Sequence, residues 1–319
     1  MKHLNELRAE LAPIRADLEI YRLRYLKKAK SAQMLLIFPL LLFIGSIVGM
    51  FLLYDYYFYF VIAMILSTLL TAFIYLKLYS PQIQDYQKKF KSVLLEKIVH
   101  ALYPDMQYKA DGYIAKEVFY KSDIFSGKAD EGYTGEDYFE GVINNVPIRF
   151  SEVNAKRLKG KNTTVLFSGI FMVLDVKKEF KGTTLVLPDD YEQLFGQLAV
   201  QLQAKLVRIE GSELIYLKKN PNFEDKFVIY STEKQEALDI LNDSMLDNLL
   251  WIRNRYNSEL SIAFKGGFVY LAISLGYKGL FDADIHKSLT KNDELFDRIY
   301  AELVTCFRLV KHLPIKHLN

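Results

Sequence analysis

Cysteine is nearly absent: Cys306 is the single one in 319 residues. A lone cysteine excludes a disulfide-stapled fold, and its place beside Phe307 in a helical pattern reads as a core thiol. The five histidines (His3, His100, His286, His312 and His317) are scattered, with three near chain ends, and form no metal-ligand set. Proline (8) and glycine (16) are too few for a collagen-like or low-complexity chain, and 51% apolar content excludes disorder. No strong charge of one sign is present, since 41 Lys and Arg stand against 38 Asp and Glu. That balance argues against a nucleic-acid partner. No phosphate-binding glycine motif, HExxH or GxSxG occurs, so no cofactor and no catalytic or metal-binding residue is assigned.

The apolar residues that are present are unevenly distributed. From Gln33 to Leu76 the only charged residue is Asp55. Residues 33–53 and 58–76 each read as a transmembrane helix, because about 20 apolar residues rising about 1.5 Å each match a hydrocarbon core of roughly 30 Å. The first run holds 14 Leu, Ile, Phe or Val residues. At about −0.3 to −0.6 kcal/mol each, they favour insertion by roughly 4 to 8 kcal/mol. Tyr54-Asp55-Tyr56-Tyr57 leaves room only for a tight antiparallel turn, and its tyrosines suit a membrane interface.

Arg22, Arg24, Lys27, Lys28 and Lys30 precede the first run, and Lys77, Lys88, Lys89 and Lys91 follow the second. The turn has no cation. By the positive-inside bias both termini are expected in the cytoplasm, with the chain multi-pass in the inner membrane and the lipid bilayer as its first partner. Small residues at Gly45 and Gly49 in one run, and at Ala63 and Ser67 in the other, suggest close helix packing. An antiparallel register would set Gly49 against Ala63 and Gly45 against Ser67. The glycines would otherwise face a second copy of the chain.

Residues 1–30 form an amphipathic, heptad-patterned helix. Leu4, Leu7, Leu11, Ile14, Leu18, Tyr21 and Tyr25 trace its seam, interrupted at Pro13. Three readings stay open: packing on the chain's own later residues, self-association, or lying on the membrane surface.

Residues 80–319 carry 32 basic and 33 acidic residues, whereas 1–79 carry nine and five, so the basic excess belongs to the membrane-flanking part. Ser80-Pro81 opens a helix reaching about Leu102. Strands are expected at 138–143 and 146–153 about an Asn144-Asn145 turn, with Pro147 marking an edge strand. Further strands are expected at 163–176, 184–187, 214–217, 227–230, 260–264 and 268–273. Helices are expected at 114–120, 191–206, after the caps near Ser231 and Asn242, and at 293–311. Without regular alternation of strand and helix, the fold class is α+β: a two-helix transmembrane hairpin followed by a mixed, mainly antiparallel cytoplasmic domain over 80–319.

Two polar groups stand out. Asp123, Glu136, Asp137, Glu140 and Glu152 could form a carboxylate site, with Glu140 and Glu152 on neighbouring strands, or a solvated face countered by Arg149 and Lys121. Lys156, Arg157, Lys159 and Lys161 form a basic hairpin tip that could meet anionic headgroups or simply be solvated.

Several runs resemble a known family. They are Ser122-Asp123-Ile124-Phe125, Tyr133 to Gly141 (YTGEDYFEG), Phe150-Ser151-Glu152, Gly169-Ile170-Phe171, Phe180 to Asp189 (FKGTTLVLPD), Phe223-Glu224, Phe227 to Ser231 (FVIYS) and Ala237. Together, over about residues 85 to 275 and with a paired span before them, they resemble the bacterial membrane-protein family called domain of unknown function 3137. The resemblance implies a bacterial inner-membrane protein and brings no activity or site residue. The leading expectation is a membrane-tethered interaction or scaffold module whose partner is another membrane or cytoplasmic protein, or a second copy of itself. The alternatives are a lipid-sensing module using the basic tip, and an enzyme using carboxylates near Glu140. On balance the residues lean away from an enzyme.

Overall fold

The structure, a computed structural model, describes residues 2–125, 132–159, 162–189, 209–217, 220–256, 259–276 and 279–313. The chain forms two compact units, residues 1–102 with 281–300, and residues 103–280 with 301–319. The compact units divide after Leu102, and residues 281–300 belong to the first. The helix expected over 191–206 lies outside the described residues.

The first unit is built on two long helical rods. Helix α1 (Leu4–Leu35) runs into α2 (Ile37–Leu52) with a break at Leu36. Pro39 explains the break, because it has no N–H to return to the carbonyl one turn earlier. A 3₁₀ turn at Tyr54–Tyr56 reverses the chain into α3 (Tyr57–Ile74). The second rod continues through a π-helical turn at Tyr75–Tyr79, α4 (Ser80–Phe90), another at Lys91–Leu95, and α5 (Glu96–Leu102). Each rod has 49 residues, about 74 Å at helical rise, so it extends well beyond a bilayer core.

The amino-terminal seam packs on the chain's own residues. Leu7, Leu11 and Leu18 are buried, as are Arg15 and Arg22, whereas Tyr21 is exposed. The buried stripe therefore departs from the expected heptad at positions 14 and 21. Arginines take those places because their partners are the main chain of residues 285–293. Arg15 donates to the Leu289 carbonyl from Nε (2.9 Å) and Nη2 (2.6 Å). Arg22 donates to the Ile285 carbonyl at 2.7 Å. Glu19 accepts from Arg22, from the Ser288 hydroxyl and from the Leu289 N–H. Farther along, the Gln87 amide exchanges two hydrogen bonds with the main chain of Ala283, and Lys91 pairs with Asp282 at 2.8 Å.

The second unit is a sheet of nine described strands. They are β1 (Gln107–Lys109), β2 (Thr134–Ile143), β3 (Val146–Lys159), β4 (Asn162–Asp175), β5 (Thr183–Pro188), β6 (Glu213–Ile215), β7 (Phe227–Ser231), β8 (Leu260–Lys265) and β9 (Phe268–Ser274). The order is β1-β2-β3-β4-β9-β8-β5-β7-β6, and every pairing is antiparallel. With the helices, the fold is α+β. Asn144 and Asn145 both have positive φ (52° and 68°), as a two-residue hairpin turn of matching twist requires. Pro147 does not mark an edge strand, since β3 lies between β2 and β4. The proline is tolerated because its pairing with Val142 lies just beyond the point where β4 joins at Ile148.

Alternation gives the sheet two apolar faces. On one, α6 (Lys116–Lys121) places Phe119 with Phe167, Phe171, Val153 and Tyr270. On the other, Phe139 stacks on Phe150 at 4.4 Å. Phe307, from the later part of α10 (Glu294–His312), meets Phe150 and Tyr103 there. The remaining helices are α7 (Pro221–Glu224), α8 (Lys234–Ile240) and α9 (Asp243–Tyr256). The Asn242 side chain caps α9 by accepting from the Met245 N–H.

Candidate functional site

Two features could carry function: the apolar helix pair and a polar cavity in the sheet unit. Both rods are long and apolar enough to cross a membrane, with mean hydropathies of 2.6 and 2.2 over their best stretches. Only 11% of each stretch is buried, the opposite of a soluble core helix. Phe38, Leu41, Phe51, Phe58, Leu69 and Phe73 are among the large apolar side chains left exposed. Such a surface is stable in lipid and costly in water.

Within the pair, a Cβ on Gly49 would stand 2.3 Å from the Phe60 ring, so Gly49 makes the close approach, though against Phe60 and not Ala63. Gly45 has nothing within 4 Å of its would-be Cβ. Ser67 is buried and donates from Oγ to the Pro39 carbonyl at 2.5 Å. The register inferred from small residues is therefore shifted. The bulky Phe60 fills the space Gly49 leaves, and a polar contact sets the position of Ser67.

The five carboxylates do not form one site. Asp123 has positive φ and pairs with Lys265. Glu140 lies opposite Arg149 across β2 and β3. Burial, followed by the charge and hydrogen bond of Glu140, pushes the neighbouring Tyr138 hydroxyl above its usual range. Glu140 and Glu152 are on neighbouring strands, as expected, but strand alternation points them to opposite faces. Glu152 instead lies opposite Glu136. Asp137, in an irregular step of the ladder, accepts from the Tyr108 hydroxyl at 2.5 Å.

Glu136 and Glu152 open onto a cavity of about 340 Å³, whose wall also includes Asp111, Thr134, Asn154 and Ser168. The register pairs Thr134 with Asn154 and Asn154 with Ser168, so these side chains share a face with Glu136 and Glu152. Glu152 is held by the Gly279 N–H, which donates to Oε2 at 2.8 Å. Gly135 and Gly169 complete the wall. A Cβ on Gly135 would fall 2.5 Å from the Glu152 carbonyl oxygen, so only glycine permits the strand spacing there. Asn154 is 6% exposed, and among the described residues its Oδ1 has no hydrogen-bond partner. An unmet buried acceptor costs about 1–3 kcal/mol, which marks this asparagine as unusual. Sequence reasoning missed Asp111, Thr134, Asn154 and Ser168, because only the register brings them together.

Of the basic tip, Lys156 and Arg157 are half-buried on β3, and Lys159 ends the strand opposite Asn162. Lys161 lies outside the described residues.

Over residues 165–315 the sequence matches the family model described as a protein of unknown function, DUF3137. The match covers just under half of the chain, and over that stretch the sequence is similar to the family. The matched region takes in most of β4, β5 to β9 and helices α7 to α10 among the described elements. It contains Ser168 and Gly169 of the cavity wall, while Asp111, Thr134, Glu136, Glu152 and Asn154 precede it. No curated protein matches the sequence. Among solved structures, the crystal structure of the mycobacterial trehalose monomycolate transport factor A, TtfA, is similar, covering 69% of this chain and 93% of its own. The identity is 11% and the TM-score 0.34.

Proposed function

We propose that this protein is a multi-pass inner-membrane protein with both termini in the cytoplasm, whose sheet unit serves as a tethered interaction module. The observation that carries the reading is the pair of 49-residue rods, Leu4–Leu52 and Tyr54–Leu102, each with an exposed charge-poor stretch, the second opening with the turn at Tyr54–Tyr56. Cations flank that stretch on the far side from the turn, at Lys27, Lys28 and Lys30 and at Lys77, Lys88 and Lys89. Such a distribution favours retention of both outer ends in the cytoplasm. An interaction role draws support from the cavity beside Glu136 and Glu152, whose wall offers polar binding groups.

The test is alkaline carbonate extraction followed by crosslinking in native membranes. Full-length protein should stay in the membrane pellet and give a discrete crosslinked adduct. Release by carbonate would contradict the anchor, and uniform recovery of uncrosslinked chain would contradict the interaction role.

A further inference from the structure

We propose that the lysines at the outer ends of the apolar helix pair, Lys27, Lys28 and Lys30 on α1 and Lys77 in the π-helical turn, bind the headgroups of anionic phospholipids. The inference deepens the membrane reading and rests on it, because it adds a lipid class to the bilayer that the pair crosses. All four residues belong to the first unit.

Farther along both rods the cations have acidic partners. Arg15 pairs with Asp293 at 2.5 Å, Arg22 with Glu19 at 2.7 Å and Lys91 with Asp282 at 2.8 Å. Arg24 and Lys89 come next and share the Tyr21 ring, at 5.5 and 5.2 Å from its centroid. Nearest the apolar stretch, Lys27, Lys28, Lys30 and Lys77 are exposed, and none pairs with a carboxylate among the described residues. The sequence explains the difference. From Ile20 to Leu95 the acids are Asp55, in the turn, and Asp85, eight residues beyond Lys77. A patch of this kind attracts negative charge from outside the chain.

Depth identifies that charge as lipid phosphate. Lys77 directly follows the apolar run that ends at Leu76. Lys30 stands three residues before Gln33, where the other run begins, a rise of about 4.5 Å. The headgroup layer is roughly 5–7 Å thick on each side of the hydrocarbon core, so these two ammonium groups stand at the level of the phosphates. Lys27 and Lys28 lie one turn farther out and reach back along their flexible stems. Helix α1 packs against the π-helical turn, which sets the two groups of lysines side by side. The Tyr75 and Tyr79 rings stack at 5.7 Å in that turn, where a membrane interface favours tyrosine.

The surface next to the lysines, on the side of the apolar runs, is exposed and apolar at Met34, Leu35, Ile37 and Leu76. A phospholipid matches both parts, its phosphate the lysines and its acyl chains the apolar side chains. An acidic peptide or a nucleic acid matches only the charge. Lys88 provides the contrast. It is also exposed, but it stands eleven residues beyond Lys77, about 16 Å at helical rise and roughly two Debye lengths at physiological salt.

The test titrates full-length protein in neutral detergent micelles against acyl-labelled phosphatidylglycerol and phosphatidylcholine, followed by fluorescence anisotropy. Phosphatidylglycerol should bind at least about tenfold more tightly, and the preference should shrink as salt is raised. Each lysine should contribute about fivefold, the usual worth of a basic residue near an anionic surface. Lys27→Gln, Lys30→Gln and Lys77→Gln combined should therefore remove most of the preference, with an unchanged melting temperature because all three side chains are exposed. Lys88→Gln should change it by less than about twofold. Four results would overturn the proposal: no preference for phosphatidylglycerol, a preference indifferent to salt and to the triple substitution, an equal loss on Lys88→Gln, or tighter binding of a polyglutamate peptide that the same triple substitution abolishes. Alkaline carbonate extraction separates this inference from the membrane reading. The unaltered and triply substituted chains should both stay in the pellet. Release of both contradicts the anchor and this inference together, whereas retention without a lipid preference contradicts this inference alone.

Discussion

Arg15 and Leu289 are joined by two hydrogen bonds from one guanidinium to one carbonyl, with Asp293 closing the arrangement at 2.5 Å. The link ties the amino-terminal helix to a segment more than 270 residues later within the same unit. Arg15→Met should therefore destabilise the first unit by about 1.5–3 kcal/mol, the usual worth of hydrogen bonds to a charged group. Arg15→Lys should recover little, because an ammonium lacks the fork that reaches Leu289 twice. Denaturant unfolding in micelles measures the loss, and faster amide exchange over residues 285–293 would locate it.

Glu19 gives the same link a pH dependence. Burial alone would push its carboxyl up. The Arg22 guanidinium, the Leu289 N–H and the Ser288 hydroxyl outweigh that and hold it at about 2, against an ordinary value of 4.5. A folded value below the ordinary one means the stabilisation is complete above pH 4.5 and is lost as pH falls toward 2. Glu19→Gln should lower stability at neutral pH, where the ionised carboxylate contributes in full, and flatten the acid limb so that the two proteins converge as pH falls toward 2. Unfolding midpoints of the two proteins between pH 7 and pH 2 read this out directly.

The two glycines of the first apolar segment should behave differently. Gly49→Val meets the Phe60 ring and should loosen the helix pair by about 1–3 kcal/mol, the common cost of overpacking. Gly45→Val enters open space and should be near neutral. Thermal unfolding in micelles separates the pair, and equal effects would restore the register inferred from small residues alone.

Gly169 has a harder constraint. An added Cβ would lie 2.0 Å from the Ile273 carbonyl oxygen, an atom of the β9 main chain that cannot rotate aside. Gly169→Ala should destabilise at the upper end of roughly 1–3 kcal/mol and weaken amide protection in β4 and β9 together.

Much of this architecture was legible in residue order. The Asn144-Asn145 and Gly266-Gly267 turns, the cap at Asn242 and the late helix beginning near Asp293 are local signals, and local chemistry decides them. The apolar runs announced the helix pair for the same reason. What sequence alone could not give was anything set by register. Pro147 suggested an edge because its missing N–H says nothing about where the neighbouring strand stops. Gly45 and Gly49 looked equivalent because spacing carries no information about which helix face meets Phe60. The carboxylate group divides between the two faces of the sheet. Glu136 and Glu152 do converge, but an irregular step between Glu136 and Phe139 sends Glu140 to the other face, beside Arg149. Asn154 carries no sequence signal at all, and only its burial, with no partner for Oδ1 among the described residues, marks it.

The central claim is that the helix pair crosses a membrane with its turn on the outside. Impermeant maleimide labelling of intact cells tests it most directly, because the only native cysteine, Cys306, is buried. Single cysteines are introduced at Asp55, in the turn, and at Asp17, exposed on the amino-terminal helix. The expected result is labelling of Asp55→Cys in intact cells and of Asp17→Cys only after permeabilisation. Labelling of Asp17→Cys in intact cells, or of neither position until permeabilisation, would contradict the account.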